Sequence, residues 1–272
     1  MGADIDLNNL HVIKELNTWG KWYLDTTNVD GFRLDAVKHI RSDFFPGWIS
    51  GLEDYSDKKL FTVGEYWSLD LEKLERYLEN TNYTLSLFDV PLHYNFYLAS
   101  ISNGNFDMGG IFNNTLVKNH PNNAVTFVDN HDTEPGQALE SFVDLWFKPL
   151  AYAMIMFREK SIPCVFYGDY YGIPEKNIPA MKELLDIFFM VRKYMAYGKE
   201  TTYFCVASGR RMNGKHECDY GFQKLALLYE KSGLGDIKYK SVIVDRYEPA
   251  PQNVTEKVVA AAAKDLQDDD ED

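Results

Sequence analysis

Residues 31–40 read GFRLDAVKHI. The first five have the look of a short strand, yet Arg33 and Asp35 within them carry opposite charges, and Lys38 and His39 follow at once. Charge in a buried strand is costly unless it is paired or used. Alternate residues of a strand face opposite sides, so Phe32 and Leu34 are expected against helices, with Arg33 and Asp35 together on the other face. An arginine beside an aspartate favours the ionised carboxylate, and a fixed, ionised carboxylate is a competent nucleophile.

Outward from this stretch, strands and helices alternate. Residues 11–27 place Val12, Ile13, Leu16, Trp19, Trp22 and Tyr23 at helical spacing. Residues 42–55 read as a helix beginning near Ser42 or Asp43, with a break open at Pro46-Gly47. KLFTVGE, YTLSLFD, NAVTFVDN and IPCVFYGD read as further strands. Helices are expected over LDLEKLERYLEN, PLHYNFYLASI and GGIFNNTLVKN, over one long segment at 136–160, and over a closing segment that stops at Gly198. Five strand–helix units in series imply a parallel sheet, open or closed into a barrel. Asp35, Glu65, Asp89, Asp132 and Asp169 all fall at or just past strand ends. In a (β/α)8 barrel that rim carries the chemistry; the plainer reading of each acid is a helix N-cap.

Glu65 ends its strand in FTVGEYW, with Trp67 two residues on. A carboxyl in partly apolar surroundings keeps a proton more readily, which suits a general acid. One ionised and one protonated carboxyl about 5–5.5 Å apart is the pair used by retaining glycosidases. Neighbouring strands lie ~4.8 Å apart, so acids on adjacent strand ends can meet that spacing.

The 272 residues allow one large domain or two smaller ones. A formal net charge of −13 argues against nucleic-acid binding through phosphates. Aromatic residues are plentiful, with 18 Tyr, 17 Phe and 5 Trp, as in a well-filled core or a sugar-stacking surface. Three cysteines, Cys164, Cys205 and Cys218, imply no disulfide framework and no zinc cluster. No apolar run is long enough to span a membrane, and no signal peptide follows Met1, which points to the cytoplasm if Met1 is the true start and leaves secretion open for a longer parent. Asn253 begins an N-x-T sequon, a pattern frequent by chance.

GFRLDAVKH, GEYW and FVDNHD, in that order, resemble three signature regions of the alpha-amylase family, glycoside hydrolase family 13. GADIDLNN, FDVPLHYNF, DTEPGQALES, WFKPLAYA and VFYGDYYG are similar to its liquefying and intracellular bacterial members, over about residues 1–204. The resemblance implies retaining hydrolysis of α-1,4-glucosidic bonds in an α-glucan. It makes Asp35 the nucleophile, Glu65 the acid/base and Asp132 the third carboxylate, which stabilises the transition state. Arg33 would orient Asp35, and His131 would hydrogen-bond the central sugar. Lys38 and His39 would contact sugar on the leaving side, with Trp67 in the wall. Asp4 and the His39 carbonyl would help hold a structural calcium, and Asp6 would serve a second cation beside it.

The chain departs from the family in two places. A full barrel has eight strands, and the three N-terminal ones, with the protruding domain and an asparagine calcium ligand, have no counterpart here. We therefore expect residues 1–200 to be the C-terminal part of a catalytic (β/α)8 barrel, about strands 4 to 8. Its partners would be the missing N-terminal half or another copy, joined through open barrel edges. Residues 201–248 read as a β-rich segment unlike the sandwich that ends these enzymes, and 249–272 as a linker, a short helix and an acidic tail. Impaired activity is therefore expected of this chain; a catalytically inactive carbohydrate- or partner-binding fragment and a transglycosidase of the same family are the alternatives.

Overall fold

The computed structural model of the chain describes residues 5–158 and 160–196. Asp4, Cys205, Cys218, Asn253 and the segments expected at 201–248 and 249–272 lie outside the described residues. Helix α1 (Leu10–Thr27) starts where Asn9 Oδ1 accepts the His11 N–H at 2.9 Å, and it ends where Asn28 turns left-handed. After it come β1 (Gly31–Leu34), a 3-10 turn (Val37–His39), α2 (Phe44–Ser56), β2 (Phe61–Gly64), α3 (Leu71–Asn80), β3 (Ser86–Phe88) and α4 (Val90–Ile101). A second 3-10 turn (Met108–Gly110) leads to α5 (Leu116–Asn119), β4 (Ala124–Phe127), α6 (Lys148–Met156), β5 (Ile162–Cys164), α7 (Tyr167–Tyr171) and α8 (Lys182–Ala196). The strand order is β1-β2-β3-β4-β5. From β1 to β4 each strand pairs in parallel with the next, Gly31 opposite Phe61, Val63 opposite Ser86 and Leu87 opposite Ala124. Strands that neighbour in space in their order along the chain, with helices between them, are the repeating unit of a (β/α)8 barrel, here part of one.

The chain divides into two units, Met1–Pro91 with Asn114–Val125, and Leu92–Asn113 with Thr126–Asp272. In the first, α1 packs on α2 at Gly20, where a Cβ would meet the Leu52 methyls and the Trp48 ring at 3.0 Å. Phe32 points to this helix layer, its ring 5.3 Å from Trp48 and 5.9 Å from Tyr23, as alternation along the strand requires. Gly31 is needed at the start of β1 because a Cβ there would fall 1.8 Å from the Phe61 carbonyl oxygen. In the second unit α6 packs on α8, with the Phe157 and Phe188 rings 4.9 Å apart. Arg192 donates to the carbonyls of Met156, Arg158 and Ser161, tying α8 to the segment before β5.

Three local expectations are corrected. Helix α2 runs unbroken through Pro46, which sits in the first turn, where the missing N–H has no helical partner to lose. The long helix expected at 136–160 is only Lys148–Met156. The backbone before it is drawn into other bonds, Ser141 N–H to the Thr133 carbonyl and Val143 N–H to the Asp129 carboxylate, and Pro149 fits only near a helix start. GGIFNNTLVKN is not one helix but the second 3-10 turn and the short α5.

Candidate active site

The end of β1 and the end of β2 are in register, Leu34 opposite Gly64. Asp35 and Glu65 are therefore the first residues past two adjacent parallel strands. The Glu65 N–H donates to the Leu34 carbonyl at 2.8 Å, and the Val37 N–H to the Glu65 carbonyl at 2.9 Å. Between them Ala36 takes a left-handed backbone, φ 46°, which costs a non-glycine residue about 1–2 kcal/mol. The Ala36 N–H donates to Glu65 Oε2 at 3.1 Å, which offsets part of that cost. Val37 is fully buried and seats against Gly64, where a Cβ would meet its methyls at 3.1–3.3 Å.

Arg33 joins the two acids. Its Nη1 lies 2.5 Å from Asp35 Oδ1 and its Nη2 3.4 Å from Glu65 Oε2. The side chain of Asp35 is 74% exposed and that of Glu65 10%, so one carboxylate stands open and the other is held in the fold. Arg33 of β1 is thus paired with Asp35 just past its end, and the pairing reaches Glu65 past the end of β2. Lys38 and His39 are exposed on the following turn. His39 lines an apolar cavity with Leu34, Ile40 and Trp48. Trp67 is half-buried beyond Glu65.

His131 and Asp132 belong to the second unit, on the loop after β4. His131 Nε2 is 3.2 Å from Asp132 Oδ2. Asn130 shapes this loop, its Oδ1 accepting the N–H of Asp132 at 2.9 Å and of Thr133 at 3.0 Å. Asp129 lies beneath, 1% exposed, accepting the Thr133 hydroxyl at 2.7 Å and facing Lys148 Nζ at 2.9 Å. Burial pushes the Asp129 carboxyl up to about 7, against the pull of Lys148. Sequence reasoning passed over Asn130, Asp129 and Lys148. The available signal was a lone lysine inside the apolar run WFKPLAYA.

The two other acids expected at strand ends, Asp89 and Asp169, are structural. Asp89 is fully buried and accepts the N–H groups of Leu116 and Val117 at 3.1 and 2.7 Å, capping α5. Asp169 is not at the end of a strand, because β5 stops at Cys164; it lies in the first turn of α7, paired with Lys148 and Tyr152. Nor is it that helix's N-cap, which is Phe166.

For a calcium ion the described residues do not fit by themselves. Among them no three His, Cys, Asp or Glu side chains are grouped to hold a metal. Asp6 Oδ1 accepts the Asn8 N–H at 2.9 Å in a turn before α1, with the Arg41 cation near enough to feel its charge. A hard dication takes 6–8 oxygen ligands, and a neighbouring guanidinium competes with it.

The family described as "Alpha amylase, catalytic domain" matches residues 2–217. An alpha-amylase of Geobacillus stearothermophilus is 59% identical over 203 residues, 75% of this chain and 37% of its own length. A cytoplasmic alpha-amylase of Escherichia coli (strain K12) is 42% identical over 224 residues, 77% of this chain and 45% of its own. The chain thus spans about two fifths of the length of these curated relatives. The solved structure of an Anoxybacillus alpha-amylase superposes with a TM-score of 0.56 at 24% identity, over 71% of this chain and 45% of that one, a likeness of fold.

Proposed function

We propose that this chain, which belongs to the alpha-amylase catalytic-domain family, carries the working carboxylates of a retaining hydrolase of α-1,4-glucosidic bonds in starch- and glycogen-type glucans. The observation that supports it most is the register of β1 and β2, Leu34 opposite Gly64, which sets Asp35 and Glu65 just past two adjacent parallel strand ends with the Arg33 guanidinium against Asp35. Asp35, open and fixed by Arg33, attacks the anomeric carbon, and Glu65 gives its proton to the departing glycosidic oxygen. Glu65 then takes a proton from water as that water displaces Asp35. Asp132 holds sugar hydroxyls and bears the developing positive charge of the ring, with His131 hydrogen-bonded to the central sugar. Lys38 and His39 contact the leaving side, and Trp67 gives the ring a wall. Asp4, Asp6 and the His39 carbonyl contribute at most part of a calcium shell, and no step of this chemistry runs through the ion.

We further infer that the 272-residue chain by itself hydrolyses starch poorly. Five strands are present among the described residues, whereas eight fix the rim of a closed barrel. A misplacement of ~1 Å at such a site costs ~100-fold. The test is reducing-sugar release from soluble starch by the chain alone and after co-refolding with the N-terminal half of a relative, with the anomer of the first product read by NMR. Restored activity with an α product is expected. An inverted product would end the nucleophile role of Asp35, and robust hydrolysis by the chain alone would end the inference of impairment.

A further inference from the structure

A lysine with no solvent exposure opens α6 in the second unit. The Lys148 ammonium lies 2.9 Å from Asp129 Oδ2, pairs with Asp169 Oδ1, and rests 3.6 Å from the centroid of the Phe142 ring. Tyr152, one turn on, donates its hydroxyl to Asp169 Oδ2 at 2.6 Å and accepts the Phe166 N–H at 3.3 Å. Two carboxylates and one ammonium out of water gain little stability over apolar residues of similar volume. Stability alone therefore does not account for the cluster.

What it does touch is the loop that carries Asp132. Asp129 Oδ1 accepts the Thr133 hydroxyl, and its carboxylate faces the Val143 N–H at 3.2 Å. Thr133 Oγ1 in turn accepts the Asn130 N–H at 3.0 Å, and Asn130 Oδ1 accepts the N–H groups of Asp132 and Thr133. The five residues 129–133 are thus closed by hydrogen bonds whose root is the Asp129 carboxylate, with Asp132 held in the loop through its own N–H.

We propose that Lys148, through Asp129 and Thr133, is a positioning residue for Asp132, holding the third carboxylate at the place where it meets the sugar. The reasoning rests on the proposed function of Asp132 and extends it to groups that never reach the substrate. Asp129 must be an acceptor for this to work, since both Thr133 and Val143 present donors to it. The Thr133 hydroxyl and the Val143 N–H both point to this carboxylate, and the Lys148 cation beside it opposes the upward push of burial and so favours its accepting form.

The experiment compares Thr133→Val, Thr133→Ser, Lys148→Met and Asp132→Asn. Each is assayed on a maltooligosaccharide in whichever form hydrolyses starch, the full 272-residue chain alone or complemented. Amide hydrogen exchange at Asp132 and the melting temperature are measured on the full chain. Thr133→Val removes one hydroxyl with little change of shape. It is expected to lower kcat by about tenfold to 100-fold, to leave KM within about threefold, and to speed Asp132 amide exchange, while Thr133→Ser restores all three. Lys148→Met is expected to act in the same direction and to lower the melting temperature as well. If Asp132→Asn is inactive but Thr133→Val keeps wild-type kcat and exchange, the positioning is overturned and the role of Asp132 stands. If Asp132→Asn is itself fully active, the role of Asp132 falls. If no form hydrolyses starch, the exchange rate decides: unchanged exchange at Asp132 in Thr133→Val overturns the proposal, and faster exchange rescued by serine supports it.

Discussion

Arg33 Nη2 lies 3.4 Å from Glu65 Oε2, so a side chain from the end of one strand reaches the buried carboxylate at the end of the next. The same guanidinium holds the open carboxylate of Asp35. A lysine carries the charge but cannot offer two separate nitrogens in a fixed plane. Arg33→Lys is expected to lower kcat by on the order of 10-fold to 100-fold, with the fold kept by circular dichroism. A wild-type kcat would show that orientation by the planar fork is not needed.

Glu65→Gln keeps the shape of the side chain and removes the proton donor. Turnover of starch in the complemented protein should fall by about 10²–10⁴-fold, while maltooligosaccharide affinity in calorimetry stays within a few-fold. Near-normal turnover would assign the acid role elsewhere.

Much of this was legible in the sequence because it depends on short-range pattern. Alternation in GFRLD placed Phe32 on the helices and Arg33 on the other face, and the succession of strands and helices gave the parallel order. What stayed hidden depends on partners far along the chain. Asp89 and Asp169 carry the same local signal as Asp35, an acid near a strand end, but Asp89 caps α5 and Asp169 meets Lys148 across 21 residues. The helix expected at 136–147 was lost for the same reason, since the bonds from Ser141 to Thr133 and from Val143 to Asp129 are tertiary and override a local helical pattern. Asp4 and everything after residue 196 lie outside the described residues.

Two buried groups of the second unit should give opposite pH dependence of stability. Burial pulls His93 down to about 4 from 6.5, while its ring sits between the Val128 carbonyl at 2.6 Å and the Ser141 hydroxyl at 2.8 Å. Between those pKa values the unfolded chain holds more protons, so this contribution grows as pH rises and is lost on acidification. Asp129 goes up to about 7 from 3.8, so the native state holds more protons there and its contribution falls as pH rises through that range. Each slope is at most about 1.4 kcal/mol per pH unit. Urea unfolding at several pH values between 4.5 and 6.5 should show stability falling with pH in His93→Gln and rising in Asp129→Asn, each relative to the parent chain. Parallel curves for all three would contradict both shifts.

Gly20 in α1 allows close contact with α2, a Cβ there meeting Leu52 and Trp48 at 3.0 Å. Gly20→Val should destabilise the chain by about 1–3 kcal/mol through overpacking, read as a lower urea midpoint with an unchanged slope. An equal or higher midpoint would mean that the two helices part at no cost.

Calcium is expected to bind the chain weakly. Asp6 is engaged by the Asn8 N–H near the Arg41 cation, and no group of three candidate ligands occurs among the described residues. Adding a chelator should leave the melting temperature unchanged, and tight stoichiometric binding in calorimetry would contradict this.

The central claim is that Asp35 is the nucleophile, and covalent trapping tests it most directly. A fluorinated α-glucosyl fluoride slows hydrolysis of a glycosyl–enzyme more than its formation, so the sugar stays on the residue that attacked. The complemented protein, with its activity on starch verified, is treated with the reagent, digested and sequenced by mass spectrometry. The expected result is one added glycosyl mass on the peptide containing Asp35, assigned to that side chain and absent from Asp35→Asn. Label on Glu65, Asp132 or any other carboxylate, or a label that survives Asp35→Asn, would contradict it.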